Sequence, residues 1–177
     1  MKALCFFALL FFVGSQAYSQ PTQINSEELE KRNGFKSIKL AESIDSVSGA
    51  SLKKEFIERL KGKDEFPAKL YSVKHDLYSL IGEVRVSSID LKTYKDLVYE
   101  IEVTTEKDLR VMKAMEMAFG KAIYNLRTRA YHWRANSLSL TFIGNKNSIT
   151  LIYKSYPIMK MMYEDKGKKL EAIAEDF

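Results

Sequence analysis

The chain has 177 residues, of which 46% are hydrophobic, 12% aromatic and 29% charged. Its 28 Lys plus Arg against 23 Asp plus Glu give a formal net charge of +5. These values exclude a disordered, collagenous or coiled-coil chain and leave room for one compact domain.

Residues 1–19 read as a secretory signal peptide. Lys2 opens a short positive region and Ala3–Val13 is an unbroken apolar run that includes Phe6, Phe7, Phe11 and Phe12. The run is too short to cross the ~30 Å hydrocarbon core of a bilayer as a helix. Ala17 and Ser19 are the small residues that a cleavage site needs. Cys5, the only cysteine, precedes the apolar run and leaves with it. The remaining chain then has no disulfide, no thiol nucleophile and no thiolate metal ligand. Its longest charge-free stretch is Ala135 to Asn145, so no transmembrane anchor is expected.

Residues 20–33 read as a flexible leader holding one short helical turn, Ser26–Arg32, closed by Asn33-Gly34. A single α+β domain is expected over 34–177. Phe35–Leu40 alternates apolar and polar residues, as a strand does. Ser43 is placed as N-cap of a short helical turn ending at Val47. Leu52, Phe56 and Leu60 recur every fourth residue among charges, which predicts an amphipathic helix stopped by Gly62. Ala68–Leu80 reads as strand. Glu83–Tyr94 alternates as Val84, Val86 and then as Ile89, Leu91, and that phase change predicts a β-bulge at Ser87-Ser88. Lys95-Asp96 is a tight turn, and Leu97, Tyr99, Ile101 and Val103 are expected to share one face of its partner strand.

Thr105 and Asp108 resemble a capping box opening a helix with the stripe Leu109, Met112, Met115 and Phe119, ended by Gly120. Tyr131, Trp133, Leu138, Leu140 and Phe142 form a strand pair or one bent strand. A turn at Gly144–Asn147 returns the chain through Ile149, Leu151 and Tyr153. Pro157 fits the first turn of a last helix from Ile158 to about Phe177, weakened by Gly167. The order expected is β-α-β-β-β-α-β-β-α: an α+β fold with a twisted antiparallel sheet and the helices packed on one face.

Short motifs run along this frame. Gly34-Phe35, Ile38-Lys39-Leu40 and Ser43-Ile44-Asp45-Ser46-Val47 match "GF-x-x-I-K-L-G-x-S-x-x-x-V", with Ala41 where Gly is expected. Ile89-Asp90-Leu91, Tyr94 and Leu97–Ile101 match "I-x-L-x-F/Y-x-x-x-L-Y-x-I". Phe119-Gly120-Lys121 and Tyr131-His132-Trp133 look like a "Y-G-K" helix end and a "Y-x-W" strand start. Together they resemble a family of small exported bacterial proteins that carry no assigned function. More remotely, a strand, "S-x-x-x-V" and later hairpins are similar to modules of the outer-membrane assembly lipoprotein and β-lactamase-inhibitor-protein type. That resemblance implies binding of other proteins through an exposed sheet face, although the lipid-anchored Cys of the lipoproteins is missing.

Catalytic spacing is sparse. His75-Asp76 is an acid/base candidate, but neighbours on a strand point to opposite faces. His132 lies in no ligand-spaced motif, so neither a metal nor a cofactor is expected. No G-x-S-x-G, H-E-x-x-H, S-x-x-K or Gly-rich phosphate loop occurs. Glu100 and Glu102 are spaced for one strand face, which alternating charge on a half-buried strand explains. The Met groups 112, 115, 117 and 159, 161, 162 read as adaptable packing. The basic groups Lys53-Lys54, Arg127-Arg129-Arg134 and Lys166-Lys168-Lys169 are mixed with acids and do not point to nucleic acid.

The aromatic residues carry the binding expectation. Tyr131 and Trp133 share a strand face, with Tyr71, Tyr78, Tyr94, Tyr99 and Tyr153 in or near strands. Such a set is either a core seam or a surface that stacks a glycan or anchors a protein. The reading is an exported envelope or secreted protein-binding module without catalytic activity, with Trp133, Tyr131, His132 and Tyr99 as candidate binding residues. The alternative is a small-ligand or glycan binder, or a hydrolase, using a cleft between sheet and helices. A pocket holding His132 or His75 beside a carboxylate would favour it.

Overall fold

The computed structural model describes residues 26–60 and 64–175. The proposed signal peptide and the Gly62 helix stop lie outside them. Among the described residues eleven strands and three α-helices form in the order α1 (Ser26–Arg32), β1 (Gly34–Phe35), β2 (Ile38–Lys39), β3 (Ala50–Leu60), β4 (Asp64–Val73), β5 (Leu80–Ile81), β6 (Val84–Tyr94), β7 (Leu97–Glu106), α2 (Leu109–Phe119), β8 (Ile123–Asn125), β9 (Ala130–Arg134), β10 (Leu138–Gly144), β11 (Ser148–Ser155) and α3 (Tyr156–Glu175). Nine strands make one antiparallel sheet in the order β3-β4-β6-β7-β11-β10-β9-β8, with β5 beside the start of β6. The α+β class and the antiparallel sheet hold, and the element order differs from the expected one.

The two long hairpins form where the sequence alternates. In β6–β7 the turn residues Lys95 and Asp96 take φ 49° and 62°, the positive values that a type I′ turn requires. The bulge expected at Ser87-Ser88 is there, between Val86 and Ser88. A second bulge lies opposite Lys92 and Thr93, where Tyr99 is the extra residue in β7. This bulge corrects the expected face of β7. Leu97 and Tyr99 turn to one side of the sheet, while Val98, Ile101 and Val103 turn to the other.

Two cores result. On one face, α1, α2 and the small β1–β2 hairpin cover Leu91, Ile101, Val103, Trp133, Leu140 and Leu151. On the opposite face, Ile158 and Met162 of α3 cover Phe66, Ala68, Tyr94 and Tyr99. The helices therefore do not share one face. The last helix begins directly after β11 and follows the apolar patch that the Tyr99 bulge carries to the far side. Burying Ile158 and Met162 there stabilises the arrangement by about 1.5–3 kcal/mol each.

Residues 52–60 are strand, not helix. A spacing of four satisfies a strand as well as a helix, because positions two and four apart share a strand face. Here β4 supplies the partner in register, with Phe56 opposite Ala68 and Glu58 opposite Phe66. Phe35–Leu40 likewise becomes two short strands around a turn at Lys36, which has φ 54°. The 3-10 turn at Ile44–Ser46 is capped as expected, Ser43 accepting from the Asp45 N–H. The cap of α2 is Asp108, which accepts from the Arg110 N–H, whereas Thr105 stays in β7. Within the stretch read as a leader, α1 packs a fully buried Leu29.

Candidate functional site

Between α2 and the sheet lies a cavity of about 390 Å³. Positions 111, 114, 115, 118 and 119 form one face of α2, since they lie three, four, seven and eight residues along the helix. They present Val111, Ala114, Met115, Ala118 and Phe119 to the cavity, with Leu151 and Tyr153 of β11 opposite. The two alanines stop short of the sheet and leave the space. Gly34 and Phe35 of β1, together with Ile81 and Gly82, close the sides. Gly34 has φ 141°, and a Cβ there would run into the Ile38 carbonyl oxygen, so this wall requires glycine.

The corner between α1 and the β1–β2 hairpin is cationic, with Arg32, Lys36 and Lys39 all lining the cavity. Lys39 Nζ donates to the carbonyls of Arg32 (2.7 Å) and Lys36 (2.8 Å), which draws the three residues together. Lys36 Nζ donates to the Leu77 carbonyl at 2.6 Å. Among the described residues neither lysine meets a carboxylate, and only Arg32 does, through Glu28 at 2.7 Å. The Arg32 guanidinium also lies over the Phe119 ring. Tyr153 is 6% exposed, and its hydroxyl has no hydrogen-bond partner among the described residues. Burial pushes that phenol up from its ordinary pKa, and the positive charge of Arg32 opposes the shift.

The residues singled out from the sequence do not converge on this cavity. Trp133 is fully buried, and its indole N–H donates to the Gly120 carbonyl at 2.7 Å. It stands edge-on to Phe119, with ring centroids 6.4 Å apart. Tyr131 lies half-buried on the same face, between Tyr124 and Phe142. His132 points to the opposite face, where Nδ1 shares a hydrogen bond with Thr141 Oγ1 at 3.0 Å. Burial, and then the charge of Arg134, lower the pKa of His132. Tyr99 is 1% exposed beneath α3 and donates to Glu58 at 2.7 Å. The aromatic set is thus spread over both cores and a sheet edge.

The other candidates also separate. His75 and Asp76 occupy a turn instead of a strand, and both line a shallow cleft of about 330 Å³. No hydrogen bond joins them, and His75 Nδ1 accepts from the Leu77 N–H as a cap. Glu100 lies between Lys92 and Lys154, at 3.2 and 2.9 Å, while Glu58 takes Lys92 at 2.8 Å. Burial raises the pKa of Glu58, but hydrogen bonds from Lys92 and Tyr99 reverse this and leave it lowered. Together these groups are a satisfied ion-pair network on the face that α3 partly covers. Of the methionines, Met115 and Met162 are buried and Met117 is 88% exposed.

Among the described residues no group of three His, Cys, Asp or Glu side chains could hold a metal ion. No helix there is long and apolar enough to cross a membrane. Comparison with protein-family models, with curated proteins and with solved structures finds no match to this chain. Sequence reasoning passed over Lys36, Lys39, Ala114 and Ala118. The signal for the alanines was present, as small residues on the apolar stripe of α2. The lysines carried none, because the chain has many lysines and nothing local distinguishes these two.

Proposed function

We propose that this protein is an exported, non-catalytic binding protein that holds a small, largely apolar molecule beneath α2. The observation that carries this reading is the 390 Å³ cavity between helix and sheet, walled mainly by apolar side chains. Its volume falls within the range of known ligand sites, roughly 300–1,000 Å³. Export rests on the pattern of residues 1–19. The test uses a neutral apolar dye, N-phenyl-1-naphthylamine, whose emission rises in apolar surroundings. The purified protein is expected to bind it saturably at one-to-one. Ala114→Phe fills the mouth of the cavity and is expected to abolish that signal without lowering the unfolding midpoint. Undiminished binding by the variant would refute this assignment.

A protein-binding role has a separate support in β3. This strand of 11 residues lies at the end of the sheet with Leu52 53% and Ile57 55% exposed. An open edge is a template for a partner strand. A photo-crosslinker at Ile57 is expected to capture one partner protein in cells, and the same group at exposed Leu126 to capture none. Equal yields at both positions would refute edge recognition.

A further inference from the structure

Resting on the reading of that cavity as a ligand site, we infer that its ligand is a straight-chain carboxylate of about ten carbons, with its head at the Arg32–Lys36–Lys39 corner. Three observations set the head. Lys36 and Lys39 each donate to backbone carbonyls and meet no carboxylate among the described residues. Lys39 bonds the backbone carbonyls of Arg32 and Lys36, so the three residues meet along one wall of the cavity. The largely buried Tyr153 lines the same cavity, and its hydroxyl makes no hydrogen bond among the described residues. Two ammonium groups, a guanidinium and a phenol hydroxyl together suit a carboxylate, which accepts through two oxygens. A cationic head would be repelled, and a neutral alcohol would leave the charges unanswered.

The tail follows from the walls. Along α2 the lining runs from Phe119 through Met115 to Val111, with Leu151 and Tyr153 of β11 opposite. Val111 to Phe119 spans about 12 Å at 1.5 Å per helical residue. An extended alkyl chain advances about 1.25 Å per carbon, given bonds near 1.5 Å, so about ten carbons fit that length.

Isothermal titration of the purified protein with decanoate, decanol and decyltrimethylammonium tests this. Decanoate is expected to bind one-to-one, decanol at least tenfold more weakly and the ammonium not at all. Affinity across saturated carboxylates is expected to peak near ten carbons. Lys36→Gln with Lys39→Gln is expected to weaken decanoate at least tenfold and leave decanol unchanged. The unchanged decanol affinity also shows that the hairpin, which Lys39 braces, remains in place. Equal binding of decanol and decanoate by the unmodified protein would overturn the anionic head and leave the cavity reading intact. Binding of the neutral dye with none of the three alkyl ligands would overturn the chain assignment. Binding of neither dye nor any ligand would overturn both.

Discussion

Replacing Trp133 by Ala separates a core role from a surface role. The indole is fully buried, faces Phe119 and fixes the Gly120 carbonyl at the end of α2. A buried Trp removes roughly 150–250 Å² from water. At about 25 cal/mol per Å² that burial stabilises the fold by about 4–6 kcal/mol, and Trp→Ala substitutions in cores cost about 3–5 kcal/mol. The lost hydrogen bond to Gly120 adds about 1 kcal/mol. A domain of this size holds only about 5–15 kcal/mol in total. We therefore expect Trp133→Ala to lose about 4 kcal/mol, and Trp133→Phe about 1–2 kcal/mol because it keeps the ring and drops the donor. Far-UV circular dichroism in urea is the assay, since both variants lack the chain's only Trp and its fluorescence. With a slope near 2 kcal/mol per molar, the Ala midpoint falls by about 2 M. An Ala variant whose midpoint moves by less than about 0.5 M would refute the burial argument.

Ala41 adopts φ 64° while its N–H donates to the Val98 carbonyl at 2.7 Å. Ala41→Gly is expected to relieve that left-handed strain and raise stability by about 0.5–1 kcal/mol net of chain entropy, whereas Gly34→Ala is expected to lose more than about 2 kcal/mol, both read from urea midpoints. Glu102 faces Asp90 across the ladder and neighbours Glu100; burial, and then those two charges, raise its pKa above the usual 4.5. A raised carboxyl costs stability once the pH passes its folded pKa and costs nothing below its unfolded one. Glu102→Gln should therefore raise stability by about 0.5 kcal/mol at pH 7 and by nothing below pH 4, and a gain equal at both would contradict the assignment.

What could be read along the chain was read where pattern and partner are local. The alternation of Val84–Leu91 against Leu97–Val103, and of Leu138–Phe142 against Ile149–Tyr153, gave strands joined by tight turns, and both hairpins formed. The phase slip at Ser87-Ser88 gave its bulge for the same reason. Ser43 announced its cap because an N-cap reaches only two residues. Residues 52–60 failed because a four-residue repeat satisfies two periods, and only β4 arbitrates between them. Tyr99 failed because its bulge is set by pairing with Lys92 and Thr93 and not by neighbours in sequence.

By itself, then, the sequence determined the class of the fold, the antiparallel hairpins and the local caps, since each depends on contacts only a few residues apart. Tertiary structure decided which face α3 covers, whether Trp133 packs inside, and where a cavity opens. Those outcomes bring together Arg32, Ala114 and Tyr153, residues from three distant parts of the chain. No periodicity along one segment records that meeting, because the space is defined by what α2, the β1–β2 hairpin and β11 leave unfilled between them.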